Sequence, residues 1–285
     1  MAEGNPNGRP NRPIHTAVVQ SIEWLNPDLV RLRFRGGDIA ALPELTLTDH
    51  YVKVLFPPKG AHYSWPFDPD ALRETLPSEQ WPVMRTYTIR ALDRAKAELT
   101  IDFVVHGDAG IAGPWAARAK VGDEIGFRGP GGGYVPGADY DSHLLAGDEA
   151  AVPAIAAALE RIIADDMADA HVFLEVSDAD HHQPLPDSER VHVTWVHRGD
   201  RPYGEPLTEA VRAYGVPAGR VQAFVHGSAG MIKDLRRHLF VDHRLPRADV
   251  SISGYWRVGQ DDEQWRAGKR AFLAELDAEE AAALT

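Results

Sequence analysis

Leu144-Leu145-Ala146-Gly147-Asp148-Glu149-Ala150-Ala151-Val152-Pro153-Ala154-Ile155 divides the chain into two kinds of sequence. An apolar run meets a Gly turn, and a Pro stands at the start of a helical stretch, which makes the first βα unit of a nucleotide-binding fold. The stretch carries no G-x-G-x-x-G, so it is not the common dinucleotide fingerprint. Beyond about Asp139, apolar strand candidates at 144–146, 171–176, 191–196, 221–225 and 250–253 alternate with helical stretches at 152–163, 205–214, 229–240 and 261–277. That rhythm predicts a parallel α/β sheet. In the last stretch Trp265, Phe272 and Leu276 fall on one stripe, as in an amphipathic cap.

Toward the N-terminus the pattern is short and alternating, with strand candidates at 15–25, 29–34, 51–56, 85–92, 99–106 and 124–128 separated by Pro, Gly and Asp. This predicts an antiparallel β-barrel. The Gly-rich and Pro-containing run 129–141 is a plausible link. The expected organisation is therefore a disordered leader at 1–13, a barrel domain at 14–138, and an α/β parallel-sheet domain with a C-terminal helix at 139–285.

Composition narrows the chemistry. The 285 residues contain no cysteine, which excludes disulfides, thiolate metal sites, iron–sulfur clusters and cysteine nucleophiles. Redox work must then rest on a bound cofactor. A formal net charge of −12 opposes nucleic-acid binding, which needs many Lys and Arg contacts to phosphate. No apolar run approaches the roughly 20 residues of a membrane span, and the leader lacks a secretory apolar core, so a cytoplasmic protein without stable membrane association is expected. The thirteen histidines include His181-His182 but no ligand spacing such as H-E-x-x-H, and no metal site is expected.

Three stretches carry chemistry. Arg85-Thr86-Tyr87-Thr88 lies on a predicted strand, where an Arg can pair with a pyrophosphate, a Tyr can lie against a flat ring and a Thr hydroxyl can bond a flavin edge. Strand alternation sets Arg85 and Tyr87 on one face and Thr88 on the other. Asp102-Phe103-Val104-Val105-His106-Gly107 then runs into a Gly-rich turn and the helix start Gly113-Pro114-Trp115-Ala116, whose free N–H groups are expected to face an anion. The third stretch is the βα unit quoted above. Taken singly, these also read as a barrel strand with a snorkelling Arg and a plain strand-to-helix turn.

Taken in order, R-x-Y-T, D-F-V-V-H-G, G-P-W-A, V-G-D-E-I-G-F-R-G-P-G-G (residues 121–132), L-L-A-G-D-E-A-A-V-P-A-I and Ser253-Gly254-Tyr255-Trp256-Arg257 resemble the siderophore-interacting protein family of ferredoxin–NADP reductase-like flavoenzymes. The resemblance implies an FAD-binding barrel followed by a nicotinamide-binding domain. It implies that Arg85, Tyr87 and Thr88 hold the flavin and its diphosphate, that Asp102, Val104 and His106 line the cofactor, and that Gly113, Trp115 and Ala116 form the turn around the diphosphate. Gly147 and Asp148 would meet the nicotinamide nucleotide, with Val225, His226 and Gly227 at a later strand end and Tyr255 and Trp256 completing the cofactor contacts. One departure is His226-Gly227-Ser228-Ala229-Gly230, where the family often has a Gly-Glu-Ala-like turn.

The family also places basic side chains near the flavin to receive an anionic iron chelate, and Lys53, Arg128 and Arg257 match those positions. The implied activity is electron transfer from NADH or NADPH through FAD to a ferric siderophore, releasing Fe(II) without a catalytic acid or nucleophile. Two other readings stay open: reduction of a redox protein partner by the same domains, and a non-catalytic flavin-bearing siderophore binder. The acidic run Glu175-Val176-Ser177-Asp178-Ala179-Asp180 at the end of the second α/β strand favours NADH by repelling a 2′-phosphate, against which stand His197 and Arg198. Lys233, Arg236 and Arg237 share one helical face and read as solvated.

Overall fold

The computed structural model describes residues 13–108 and 110–284, so the expected leader, apart from Pro13, lies outside the described residues. Seven strands from the first half form one antiparallel sheet: β1 (His15–Asn26), β2 (Leu29–Arg35), β3 (Tyr51–Phe56), β4 (Val83–Thr88), β5 (Ala91–Asp93), β6 (Glu98–Val104) and β7 (Glu124–Gly131), in the order β4-β3-β7-β1-β2-β6-β5. Period-two alternation decides the inner face, with Val52 and Val54 of β3, Phe103 of β6 and Phe127 of β7 fully buried.

The expected strand 85–92 is two strands. Ile89 donates its N–H to the carbonyl of His50 and Arg90 donates to that of Thr100, so the chain leaves β3 at one sheet edge and reaches β6 near the other. The sheet thereby rolls up. Tyr87 of β4 packs its ring 4.3 Å from that of Phe103, closing a barrel-like body. Short helices α1 (Gly37–Ala40), α2 (Pro69–Thr75) and α3 (Ala112–Arg118) decorate it.

The second half builds a five-stranded parallel sheet from β8 (Ser142–Asp148), β9 (Ala170–Val176), β10 (Val191–His197), β11 (Val221–Ser228) and β12 (Val250–Trp256), in the order β10-β9-β8-β11-β12. Alternate residues feed two cores. Leu145, Val172, Leu174 and Phe224 meet Ile155 and Leu159 of α4 (Val152–Ala164). Leu144, Ala146, Phe173 and Val225 meet α5 (Glu205–Tyr214) and α6 (Ala229–Arg236) on the opposite face. Strands buried on both faces explain the continuous apolar runs of this half.

α6 continues as a π-helical turn over Arg237–Asp242, and the terminal helix α7 (Asp262–Ala283) outruns its expected end at 277. The extension is an Ala- and Glu-rich run of good helix formers, and its Glu280 is buried against Arg236 and Arg247. Arg236 is therefore not on a solvated face as its spacing suggested. The residue is 6% exposed and its guanidinium pairs with Glu280 and Asp277, while Lys233 pairs with Glu279.

The two halves touch through polar links. Asn26 donates to the carbonyl of His181, whose ring lies between Asp28 and Asp178, and Arg90 pairs with Glu160.

Candidate functional site

β4 presents the first group of expected site residues. Arg85 and Tyr87 stand opposite Val54 and Val52 of β3 and share their face, whereas Thr86 and Thr88 stand opposite Lys53 and Tyr51 on the outer face. The alternation read from the sequence is the arrangement found. Arg85 donates from Nη1 and Nη2 to Glu263 at 2.5 and 2.9 Å, and Nη1 also reaches the carbonyl of Met84. Asp262 Oδ2 lies 3.7 Å from Nη1, and the Nε–H and one Nη2 hydrogen have no acceptor among the described residues. Burial pushes the Tyr87 phenol above its ordinary value.

The β6–α3 turn differs from expectation in detail. α3 begins at Ala112, so Trp115 N–H is already used within the helix on Ile111, and the Trp115 ring packs against Phe56 and Phe103. Ala116 is buried. The carboxylate of Asp102 forms a bidentate pair with Arg31, opposite it on β2, at 2.7 and 2.8 Å. Val104 and Gly113 do come together, since a Cβ on Gly113 would lie 3.0 Å from the Val104 carbonyl oxygen. His106 is exposed just beyond β6.

Lys53 and Arg128 are cross-strand neighbours on β3 and β7, both on the outer face, with Thr86 across from Lys53 on β4. Arg257 is exposed beyond β12, its guanidinium 5.5 Å from the Phe272 ring centre.

Gly147, Asp148, His226, Gly227, Tyr255 and Trp256 meet at the carboxyl ends of β8, β11 and β12. Trp256 donates its indole N–H to Asp148 Oδ2 at 2.8 Å. Burial raises the Asp148 carboxyl to about 7, with Glu149 adding to the rise. Gly227 has φ 145, and a Cβ there would stand 2.6 Å from the Asp148 carboxylate, so glycine is required. His226 stacks on Phe224 and lies within hydrogen-bond distance of Ser251 Oγ, while burial lowers its pKa to about 3 and keeps the ring neutral. Val225 does not line this mouth; its side chain is fully buried in the core beneath α6.

The acidic tip expected to select the nucleotide is largely committed elsewhere. Glu175 is fully buried and accepts from the N–H groups of Gly204 and Leu207 at the start of α5, and Asp178 is bonded to His181. Arg198 is 8% exposed, lies between Glu149, Glu175 and Ser177, and stacks 3.8 Å over Tyr203. Neither Glu175 nor Arg198 is positioned as a free selector. Sequence reasoning also missed Glu263, Tyr203 and Lys269, the last of which donates to Ser253 Oγ and the Gly254 carbonyl.

Comparison with known proteins matches both halves. The profile of the siderophore-interacting FAD-binding domain covers residues 18–134, and that of the siderophore-interacting protein covers residues 140–259. An uncharacterized protein of Mycobacterium tuberculosis is 38% identical over 281 residues, 94% of this chain and 98% of its own length. The ferric vibriobactin reductase ViuB of Vibrio cholerae is 30% identical over 89% of this chain and 93% of its own. Among solved structures, the siderophore-interacting protein SipS from Aeromonas hydrophila superposes with a TM-score of 0.78 at 28% identity, covering 92% of this chain and 99% of that one.

Proposed function

The chain belongs to the siderophore-interacting protein family, and from that premise we propose that it is an FAD-dependent NADH- or NADPH:ferric-siderophore reductase that releases iron as Fe(II). The observation that carries this reading is the outward pair Lys53 and Arg128, set beside Thr86 of the strand that also bears Arg85, Tyr87 and Thr88. Two cations facing outward from an otherwise acidic chain attract an anionic chelate without attracting nucleic acid.

The residues fit FAD. The close approach of Gly113 to β6 makes a cradle that a Cβ would crowd, and Arg85 keeps a fork of N–H donors for a diphosphate. Arg85 is assigned to the diphosphate, Tyr87 and Thr88 to the flavin, and Val104, His106 and Gly113 to the turn beside it. Bound FAD supplies the conversion of a two-electron donor into single-electron delivery. Hard oxygen ligands hold ferric iron more tightly than ferrous iron, so one-electron reduction loosens the chelate.

At the sheet mouth, Gly147, Asp148, His226, Gly227, Tyr255 and Trp256 are assigned to the nicotinamide nucleotide. The neutral His226 adds no charge there, and Trp256 fixes Asp148. Arg257 is assigned to the chelate as a third cation from the second half. We place the flavin domain at 14–138 and the nicotinamide domain at 139–285, in a cytoplasmic protein acting on imported siderophore. No helix among the described residues is long and apolar enough to cross a membrane.

The visible spectrum tests the reading. Purified protein reconstituted with FAD should bleach with anaerobic NADH or NADPH and regain its colour on addition of ferric siderophore, with Fe(II) captured by a ferrous chelator. Protein that takes up no flavin, or whose bleached flavin is indifferent to the chelate, would contradict it.

A further inference from the structure

The guanidinium of Arg85 is set in place from the far end of the chain. Arg85 stands on β4 of the barrel, yet both of its Nη groups donate to the Glu263 carboxylate, at 2.5 and 2.9 Å, across 178 residues of sequence. Nη1 also meets the Met84 carbonyl at 3.1 Å. A long, rotamer-rich side chain loses conformational freedom when both prongs of its fork must meet an anion, and a carboxylate gripping one edge takes up that loss in advance. The guanidinium is planar, so fixing the edge made by Nη1 and Nη2 also fixes the edge made by Nε and Nη2.

Glu263 can grip because α7 is itself held. Asp261 caps the helix in a reciprocal pair with Gln264, which sets the first turn. Trp265 is 2% exposed and packs so closely on Gly254 of β12 that a Cβ there would stand 2.8 Å from the indole. One turn further, Lys269 donates to Ser253 Oγ and to the Gly254 carbonyl at 2.9 and 2.8 Å. The helix carrying Glu263 is thereby pinned to the strand that ends in Tyr255 and Trp256, and the Arg85 pair ties that strand to the barrel.

A carboxylate beside a fork meant for a diphosphate also repels the ligand, so the sign of its effect depends on which influence is larger. The Glu263 side chain is 48% exposed, and water and salt screen its charge, whereas the geometry it imposes on Arg85 is not screened. Asp262 Oδ2, 3.7 Å from Arg85 and 3.7 Å from Arg266, is too far to hold either by a hydrogen bond.

We propose that Glu263 is a positioning residue for FAD: it holds Arg85 so that the remaining edge of the guanidinium meets the diphosphate, and through α7 it makes flavin affinity depend on the second half of the protein. This rests on the assignment of Arg85 to the diphosphate and adds the residue that aims it.

FAD titrations of the full chain in a four-variant cycle test the proposal, with wild type, Glu263→Gln, Arg85→Ala and the double variant. Glu263→Gln keeps the size of the side chain but puts an amide N–H where one of two acceptors stood. It should weaken FAD about five- to tenfold when Arg85 is present, and change affinity by less than about twofold when Arg85 is alanine. Equal weakening in both backgrounds would mean that Glu263 acts only through the packing of α7. Unchanged or tighter binding in Glu263→Gln would make the pair idle or a competitor of the diphosphate. Either result overturns the positioning role and leaves FAD on the barrel. If Arg85→Ala alone leaves the affinity unchanged, the assignment of Arg85 to the diphosphate falls, and the role of Glu263 with it.

Discussion

On the outer face of the barrel, Lys53 and Arg128 stand opposite each other on β3 and β7, both partly exposed. At the mouth of the parallel sheet, Asp148, Glu175, Arg198 and His226 are each at most 8% exposed, and each already contacts a neighbour. The first region is the one proposed to receive the chelate. The second is wired internally, so its polar groups hold the loop ends in place and its ionisation is tied to stability. On the proposed roles, a site for a bulky chelate gains from cations carried on a rigid strand pair, whereas a site that receives the same nucleotide at every turnover gains from a fixed mouth.

The contrast can be broken at its tightest point first. Gly227→Ala forces a side chain into a conformation L-residues avoid and drives its Cβ to 2.6 Å from the Asp148 carboxylate. Backbone strain and overpacking together should cost about 3–5 kcal/mol, read as a lowered midpoint in urea. A loss below about 1 kcal/mol would mean that the mouth yields more easily than its packing indicates.

Next is the ionisation of Asp148, whose carboxyl is raised from 3.8 to about 7 chiefly by burial. The folded chain keeps a proton that the unfolded chain has lost, so this contribution is fully present below 3.8 and declines as pH climbs toward about 7. His226 acts with the opposite sign: lowered from 6.5 to about 3, it erodes stability as pH falls through that window. Asp148→Asn should therefore recover about 2–4 kcal/mol at pH 8, little at pH 4, and leave the acid limb of the thermal melting profile unchanged. Equal effects at both pH values would place the Asp148 proton elsewhere.

A smaller effect tests Arg85 as the proposed flavin anchor. Arg85→Ala should weaken FAD by about ten- to a hundredfold in a flavin titration, the worth of one charge-assisted fork, and unchanged affinity in the folded variant would remove Arg85 from the site. The smallest is between the halves. Glu160→Gln breaks the 2.7 Å pair with Arg90, yet Glu160 is half exposed, and the cost should stay within about 1 kcal/mol of thermal stability.

The rhythm of the sequence carries the two sheets, and strand alternation alone separates Arg85 and Tyr87 from Thr88. Lys53 and Arg128 were readable as candidates one by one, but their pairing depends on the β3–β7 register, which no local pattern specifies. Other partners are hidden for the same reason. The carboxylate of Asp102 meets Arg31, 71 residues away. Glu175 looked like an exposed selector because α5 returns onto it from 29 residues downstream. Gly126, where any Cβ would collide with the Trp65 ring, is legible only afterward, as a glycine amid strand residues marking a close approach.

The account turns on whether electrons leave through the barrel's basic face. Anaerobic stopped-flow separates flavin reduction by nicotinamide from flavin reoxidation by ferric siderophore, and Lys53→Ala/Arg128→Ala is the variant to follow. The reoxidation step should slow about tenfold or more and lose much of its salt dependence, while nicotinamide bleaching stays within about twofold of wild type. Equal slowing of both steps, or an unaltered reoxidation rate, would contradict the account.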